Sequence, residues 1–95
     1  MTRIVWTDPA VSDLNSIHEY IARDSEIYAD SVLSEIFDAV DRLIDCSQSG
    51  RIVPELDEQH TREIMIGSYS VVYDTQGDTI RILTVLHGAR KFPAE

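Results

Sequence analysis

The chain has 95 residues and a mass of 10.8 kDa, enough for one compact domain and short of two, so any function must rest on a single hydrophobic core. Its residues are 43% apolar and 26% charged, with 4 Gly and 3 Pro, which excludes a low-complexity or disordered class. With 8 basic against 17 acidic side chains the formal charge is −9, which excludes nonspecific affinity for phosphate backbones, since that affinity comes from Lys and Arg releasing counterions.

Arg3-Ile-Val-Trp6 is a short β-branched and aromatic run, and Thr7-Asp8-Pro9 follows it at once. An oxygen-bearing cap and then a proline, whose missing N–H costs nothing in a first turn, predict a strand that passes directly into a helix. Ala10, Leu14, Ile17 and Ile21 recur at helical spacing on one face, and this helix is predicted to end near Asp24. Asp24-Ser25-Glu26 supplies a turn and a new cap. Beyond it Ala29, Leu33, Ile36, Val40 and Leu43 form a second stripe, widened by Val32, Phe37 and Ile44, so the second helix reaches about Ile44. A connection this short folds the two helices into an antiparallel hairpin.

Residues 45–59 mix Ser, Gln, Gly50, Pro54 and acids without periodicity and are read as a surface loop. Arg62–Ile66, the turn Gly67-Ser68 and Tyr69–Tyr73 form a predicted β-hairpin, residues 75–78 a second turn, and Thr79–His87 the last strand. The predicted architecture is α+β, β-α-α-β-β-β over residues 1–95: a helix hairpin packed on one face of a mainly antiparallel sheet. Simple alternation along the last strand places Ile80, Ile82 and Leu86 on one face, and Arg81, Leu83, Val85 and His87 on the other. The helices cover one face only, so the second is expected to be an uncovered, partly apolar surface that takes a partner or a folded-back C-terminal tail.

The lone Cys46 rules out an intramolecular disulfide, and residues 1–9 hold neither a basic stretch nor a long apolar run. No window approaches the ~18 apolar residues of a membrane span. These features predict a reducing, cytoplasmic setting away from membranes. His18, His60 and His87 lack the short spacings of a metal cage, so no metal or other cofactor is expected. The acidity is uneven: residues 1–49 hold 3 basic and 10 acidic side chains, a balance of −7, whereas residues 50–95 hold 5 and 7, a balance of −2. A positive patch has room only in the second half.

Several segments in this order resemble the ParE/RelE toxin superfamily of bacterial type II toxin–antitoxin modules, whose members are also known as plasmid stabilisation proteins. They are Trp6–Ala10 with Asp13-Leu14 and Ile17, Tyr20–Asp24, Gly50–Glu55, Arg62-Glu63, Tyr69–Tyr73 and Val85–Arg90. The Gly50-Arg-Ile-Val-Pro-Glu55 and His87-Gly-Ala-Arg90 segments resemble the ParE branch in particular. The ParE resemblance implies a non-enzymatic toxin that binds DNA gyrase, traps its cleaved DNA complex, and is silenced in a hetero-oligomer with a cognate antitoxin. The RelE resemblance implies a ribosome-dependent mRNA endonuclease. A third reading is a degenerate member that binds its antitoxin and poisons nothing. Superfamily members usually carry an arginine after the first tyrosine of the central strand; this chain has Ser70, which weighs against the nuclease.

Cleavage by the RNA 2′-hydroxyl needs a base, a cation for the phosphorane and an acid for the leaving oxygen. Arg62, His87 and Arg90, helped by Glu63 or Tyr69, are the residues available for it. For partner binding the expected residues are Arg51, Arg62, Arg81, Leu83, Val85, His87 and Arg90. Tyr69 and Tyr73 share strand parity and are expected to bury their rings with the hydroxyls at the core's rim. Asp13 reads as a polar helix position or a hydrogen-bonded support.

Overall fold

Thr7 ends one element and begins the next. In the computed structural model, which describes residues 2–46, 50–52 and 61–87, strand β1 (Arg3–Trp6) leads into helix α1 (Asp8–Ala22) through this residue. The Thr7 hydroxyl accepts from the Ala10 N–H as the helix cap and donates to the Ile82 carbonyl at 2.7 Å. Helix α2 (Glu26–Asp41) starts the same way, with Ser25 Oγ accepting from the Tyr28 N–H at 3.1 Å, and passes into a 3-10 turn over Arg42–Ile44. Both helices begin where their caps predict; α1 ends two residues before Asp24, and α2 ends at Asp41, the 3-10 turn carrying the helical path on to the expected Ile44.

The remaining elements are β2 (Arg51–Ile52), β3 (Thr61–Ile66), β4 (Tyr69–Gln76) and β5 (Thr79–His87). They join β1 in one five-stranded sheet of order β1-β5-β4-β3-β2, parallel between β1 and β5 and antiparallel elsewhere. The β-α-α-β-β-β order is as expected, with one addition. Arg51-Ile52, inside the predicted loop, pairs with Arg62-Glu63 and makes a short outer strand. Gly67 and Gly77, in the two hairpin turns, take φ of 58° and 57°, a region open to glycine at little cost.

The helices pack on one face of the sheet. Ala10, Leu14 and Ile21 of α1 and Ala29, Val32, Ile36 and Val40 of α2 bury against Val71, Tyr73, Ile80, Ile82 and Val85. Trp6 closes one side, edge-on to Phe37 with ring centroids 5.3 Å apart. Among the described residues no helix is long and apolar enough to cross a membrane.

One irregularity redirects the last strand. Val72 pairs with Thr84 and Tyr73 with Ile82, so Leu83 is an extra residue, a β-bulge. The alternation predicted for β5 therefore flips after Ile82. Val85 and His87 turn to the helix side, opposite Val71 and Tyr69, and Leu86 turns away, opposite Ser70. Val85, expected on the face of Arg81, is a core residue with 4% exposure. Asp13 holds the bulge from α1, its carboxylate accepting from the Thr84 hydroxyl at 2.5 Å and the Val85 N–H at 3.0 Å.

Gly50 anchors the outer strand. Its N–H donates to the buried Tyr73 hydroxyl at 3.0 Å and its carbonyl accepts from Arg62 Nη1 at 2.9 Å. A Cβ here would stand 2.6 Å from Tyr73 Oη and 2.7 Å from the Glu63 carbonyl oxygen. Both neighbours belong to the packed sheet, so Gly50→Ala is expected to destabilise the fold by about 1–3 kcal/mol, the range for overpacking a filled site. Chemical denaturation of the two proteins measures it.

Candidate functional site

Of the described residues singled out for chemistry, Tyr69 and His87 come together, while Arg62 and Glu63 stand apart from them. Arg62 lies on the helix-side face opposite Tyr73, bonded to Gly50, and His87 lies on the same face opposite Tyr69. Tyr69 and Tyr73 are four residues apart on β4, which separates the two pairs by about 13 Å along the strand at ~3.3 Å per residue. Glu63 and Arg81 belong to the opposite face. The Arg51 side chain and the whole of Arg90, with Pro54 and Glu55, lie outside the described residues.

That opposite face also differs from expectation. Its centre is buried, and much of what is buried there is polar: Thr61, Glu63, Ser70 and Asp74 surround Val72. The Ser70 hydroxyl donates to Glu63 Oε2 at 2.6 Å, and Arg81 grips Asp74 through Nε at 3.0 Å and Nη2 at 2.5 Å. The Asp74 hydrogen bond and charge hold the Arg81 guanidinium above its ordinary pKa. A carboxyl group only 5% exposed needs hydrogen-bond partners inside the protein, and Ser70 is one of them. The serine in the place of the expected arginine thus serves a closed polar seam. The uncovered apolar surface predicted for this face is replaced by that seam, with only Val5 and Met65 as exposed large apolar side chains on it.

The open site is on the helix side, at the other end of the sheet. There the α1–α2 turn stands over the β3–β4 turn and leaves a cleft of about 390 Å³. Tyr20, Tyr28, Tyr69 and His87 line it, with Asp24 and Glu35 among its polar groups. A shallower recess of about 250 Å³ continues past Ser16 and Ile17 and shares Tyr20, Tyr69 and His87. Tyr20 is 70% exposed and Tyr28 61%, and Ile27 beside them is more exposed still. Tyr69 and His87 stack at a tilt, 5.0 Å between ring centroids. Burial pushes the Tyr69 phenol above its ordinary pKa, and the nearby Tyr28 and Tyr20 phenols add to the rise. Of the described residues predicted to bind a partner, His87 alone lies in this cleft. The sequence singles out neither Tyr20 nor Tyr28 for binding; they stand on separate helices, and their meeting depends on how the hairpin turns.

Tyr73 is fully buried, its hydroxyl bonded to Gly50 inside the core and not at its rim. Among the described residues no group of three or more His, Cys, Asp or Glu is placed to hold a metal ion.

Comparison with known proteins finds a toxin family and toxin relatives along nearly the whole chain. The family described as "ParE toxin of type II toxin-antitoxin system, parDE" matches residues 4–92. The putative toxin Y4kP of Sinorhizobium fredii is 36% identical over 93 residues, covering 96% of this chain and 93% of that one. Toxin RelE2 of Caulobacter vibrioides is 28% identical over 91 residues, covering 95% and 99%. In fold, the chain is similar to a structure of the chromosomal ParDE system from P. aeruginosa, with a TM-score of 0.77 at 22% identity over 93% of this chain and 97% of that one. It is also similar to the RelB–RelE antitoxin–toxin complex of Methanococcus jannaschii, with a TM-score of 0.50 at 20% identity over 87% and 88%.

Two outcomes follow from the buried groups. Ser70→Ala removes a donor from the buried Glu63 carboxylate and is expected to cost about 1–3 kcal/mol in denaturant unfolding. Burial of Tyr73 raises its phenol pKa against the lowering effects of the Gly50 bond and the Arg62 charge. A folded-state pKa above the unfolded value near 10 leaves stability intact below about pH 10. Above it the unfolded chain ionises first, so thermal midpoints are expected to fall between about pH 10 and the raised folded value, and to fall less in Tyr73→Phe.

Proposed function

The chain belongs to the ParE toxin family of type II toxin–antitoxin systems, and from that membership we propose that it is a ParE-like inhibitor of DNA gyrase, silenced by a cognate antitoxin. The carrying observation is that, among the described residues, Arg62 and Glu63 stand apart from the His87–Tyr69 pair with which they would have to build an RNA-cleaving centre. Arg62 and His87 stand about 13 Å apart along the strand, and Glu63 is buried on the opposite face, engaged with Ser70. A base, a cation and an acid must meet around one phosphate to cleave RNA, each within hydrogen-bond reach. The net charge of −9 adds long-range repulsion of an RNA backbone.

Inhibition by binding asks for a different surface. An open cleft with exposed tyrosines beside it has the composition of a protein interface, where aromatic anchors carry most of the affinity. The similarity in fold to ParDE and RelB–RelE structures supports a cognate antitoxin as one partner. The RelE-like reading, ribosome-dependent mRNA cleavage, keeps the support of the 28% identical relative named Toxin RelE2.

Purified protein assayed in parallel on gyrase supercoiling and on ribosome-programmed mRNA separates the two. The expected outcome is loss of supercoiling with accumulation of cleaved gyrase–DNA complexes, reversed by the antitoxin, and intact mRNA. Unchanged supercoiling, with codon-positioned mRNA cuts that vanish in His87→Ala, would overturn the gyrase reading. Growth unaffected by induced expression would instead identify a member that binds its antitoxin without poisoning the cell.

A further inference from the structure

The cleft between the two turns has a chemistry more specific than exposed apolar surface. Three tyrosine rings, drawn from α1, α2 and β4, face one space of about 390 Å³, and among the described residues the acidic groups lining it are Asp24 and Glu35, with no lysine or arginine. Asp30, the nearby acid on α2, is already engaged with His18 Nε2 at 2.8 Å and does not line the cleft. Aromatic faces carry negative potential and attract a cation placed over them, and guanidinium does so best because it is planar and weakly hydrated. Carboxylates at the edge of such a stack accept its N–H groups in a fixed geometry. The residue 1–49 segment that builds both helices carries a balance of −7, which draws positive charge toward this side of the molecule.

We propose that the Tyr20–Tyr28–Tyr69 cleft, with Asp24 and Glu35 at its edge, is a guanidinium pocket that seats an arginine anchor of the antitoxin. This rests on the antitoxin reading above and adds to it the residue type recognised and the place where it is recognised. The charge complementarity points to the occupant: a toxin of net charge −9 needs a partner segment richer in basic residues, and this cleft is where aromatic and acidic groups meet. The recess past Ser16 and Ile17 continues the cleft along α1 and takes the apolar residues flanking the arginine, as expected for an amphipathic segment laid in a groove.

The test has two arms. In the first, ring proton resonances of the intact toxin are followed by NMR while arginine methylamide is added, with citrulline methylamide as the uncharged isostere. Saturable shifts of Tyr20, Tyr28 and Tyr69 with arginine alone, lost in the Asp24→Asn, Glu35→Gln double variant, are expected. In the second, the antitoxin encoded beside this gene is titrated into the same proteins. Tyr20→Ala and Glu35→Gln, both at exposed positions where folding is preserved, are each expected to weaken binding by about tenfold or more. Glu26→Gln, an exposed change on α2 outside the cleft, is expected to leave binding within about twofold. The Glu35→Gln loss is expected to disappear when one antitoxin arginine is already alanine, as a double-mutant cycle requires for paired groups. Equal response to arginine and citrulline, or antitoxin affinity unchanged in Tyr20→Ala and Glu35→Gln, overturns the pocket. An antitoxin that does not bind even the wild-type chain overturns the antitoxin reading itself, and this proposal with it, while the arginine titration reports on the cleft independently.

Discussion

One extra residue in the last strand governs what this protein presents to its surroundings. Leu83 bulges out of β5, and the reversal of side-chain parity after it turns Val85 into the core and His87 toward the helix side. A bulge leaves backbone groups without ladder partners, and α1 supplies them: Asp13 takes the Val85 N–H and the Thr84 hydroxyl, while the Thr7 hydroxyl donates to the Ile82 carbonyl just before it. The helix hairpin is thus fastened to β5 by hydrogen bonds as well as by its apolar stripe. Because α1 is held at this point, its far end carries Tyr20 over Tyr69 and His87, and the cleft exists.

The two faces of the sheet have divided their roles. The face away from the helices holds the pairs Ser70–Glu63 and Asp74–Arg81, in which the buried Glu63 and Asp74 carboxylates each find a hydrogen-bond donor. Groups so engaged are poorly available for proton transfer or for phosphate. The helix side keeps its open surface at one end only, where the hairpin turn overhangs the β3–β4 turn. Membership in the ParE toxin family and this division together favour recognition over cleavage.

The elements were legible because each has a local cause. Thr7-Asp8-Pro9 and Ser25 mark helix starts that the structure uses as caps, and Gly67 and Gly77 mark turns that need positive φ. What was missed has non-local causes. Parity along β5 was counted as though the strand were regular, and nothing in Thr79–His87 announces that Asp13, far off in the chain, will stabilise an extra residue. Arg51-Ile52 is too short to show a period of two, and it becomes a strand because Tyr73 and Arg62 hold Gly50 at the sheet's edge. The cleft was invisible for the same reason: Tyr20 and Tyr28 stand on separate helices, and three-dimensional placement alone brings them to Tyr69.

The parallel pairing of β1 with β5 bears on how the molecule comes into being. Arg3–Trp6 is the first of the described strands, yet its partner, Thr79–Ile82, belongs to the last of them. A pairing of such sequence separation forms late, because the entropy of closing the intervening loop must be met before any contact repays it. Thr7 likewise waits for Ile82, and Asp13 for Val85. Until β5 is available, β1 lacks its strand partner and the helix hairpin lacks the Thr7 and Asp13 bonds that fasten it to the sheet. Maturation is in this sense timed by the chain's own topology.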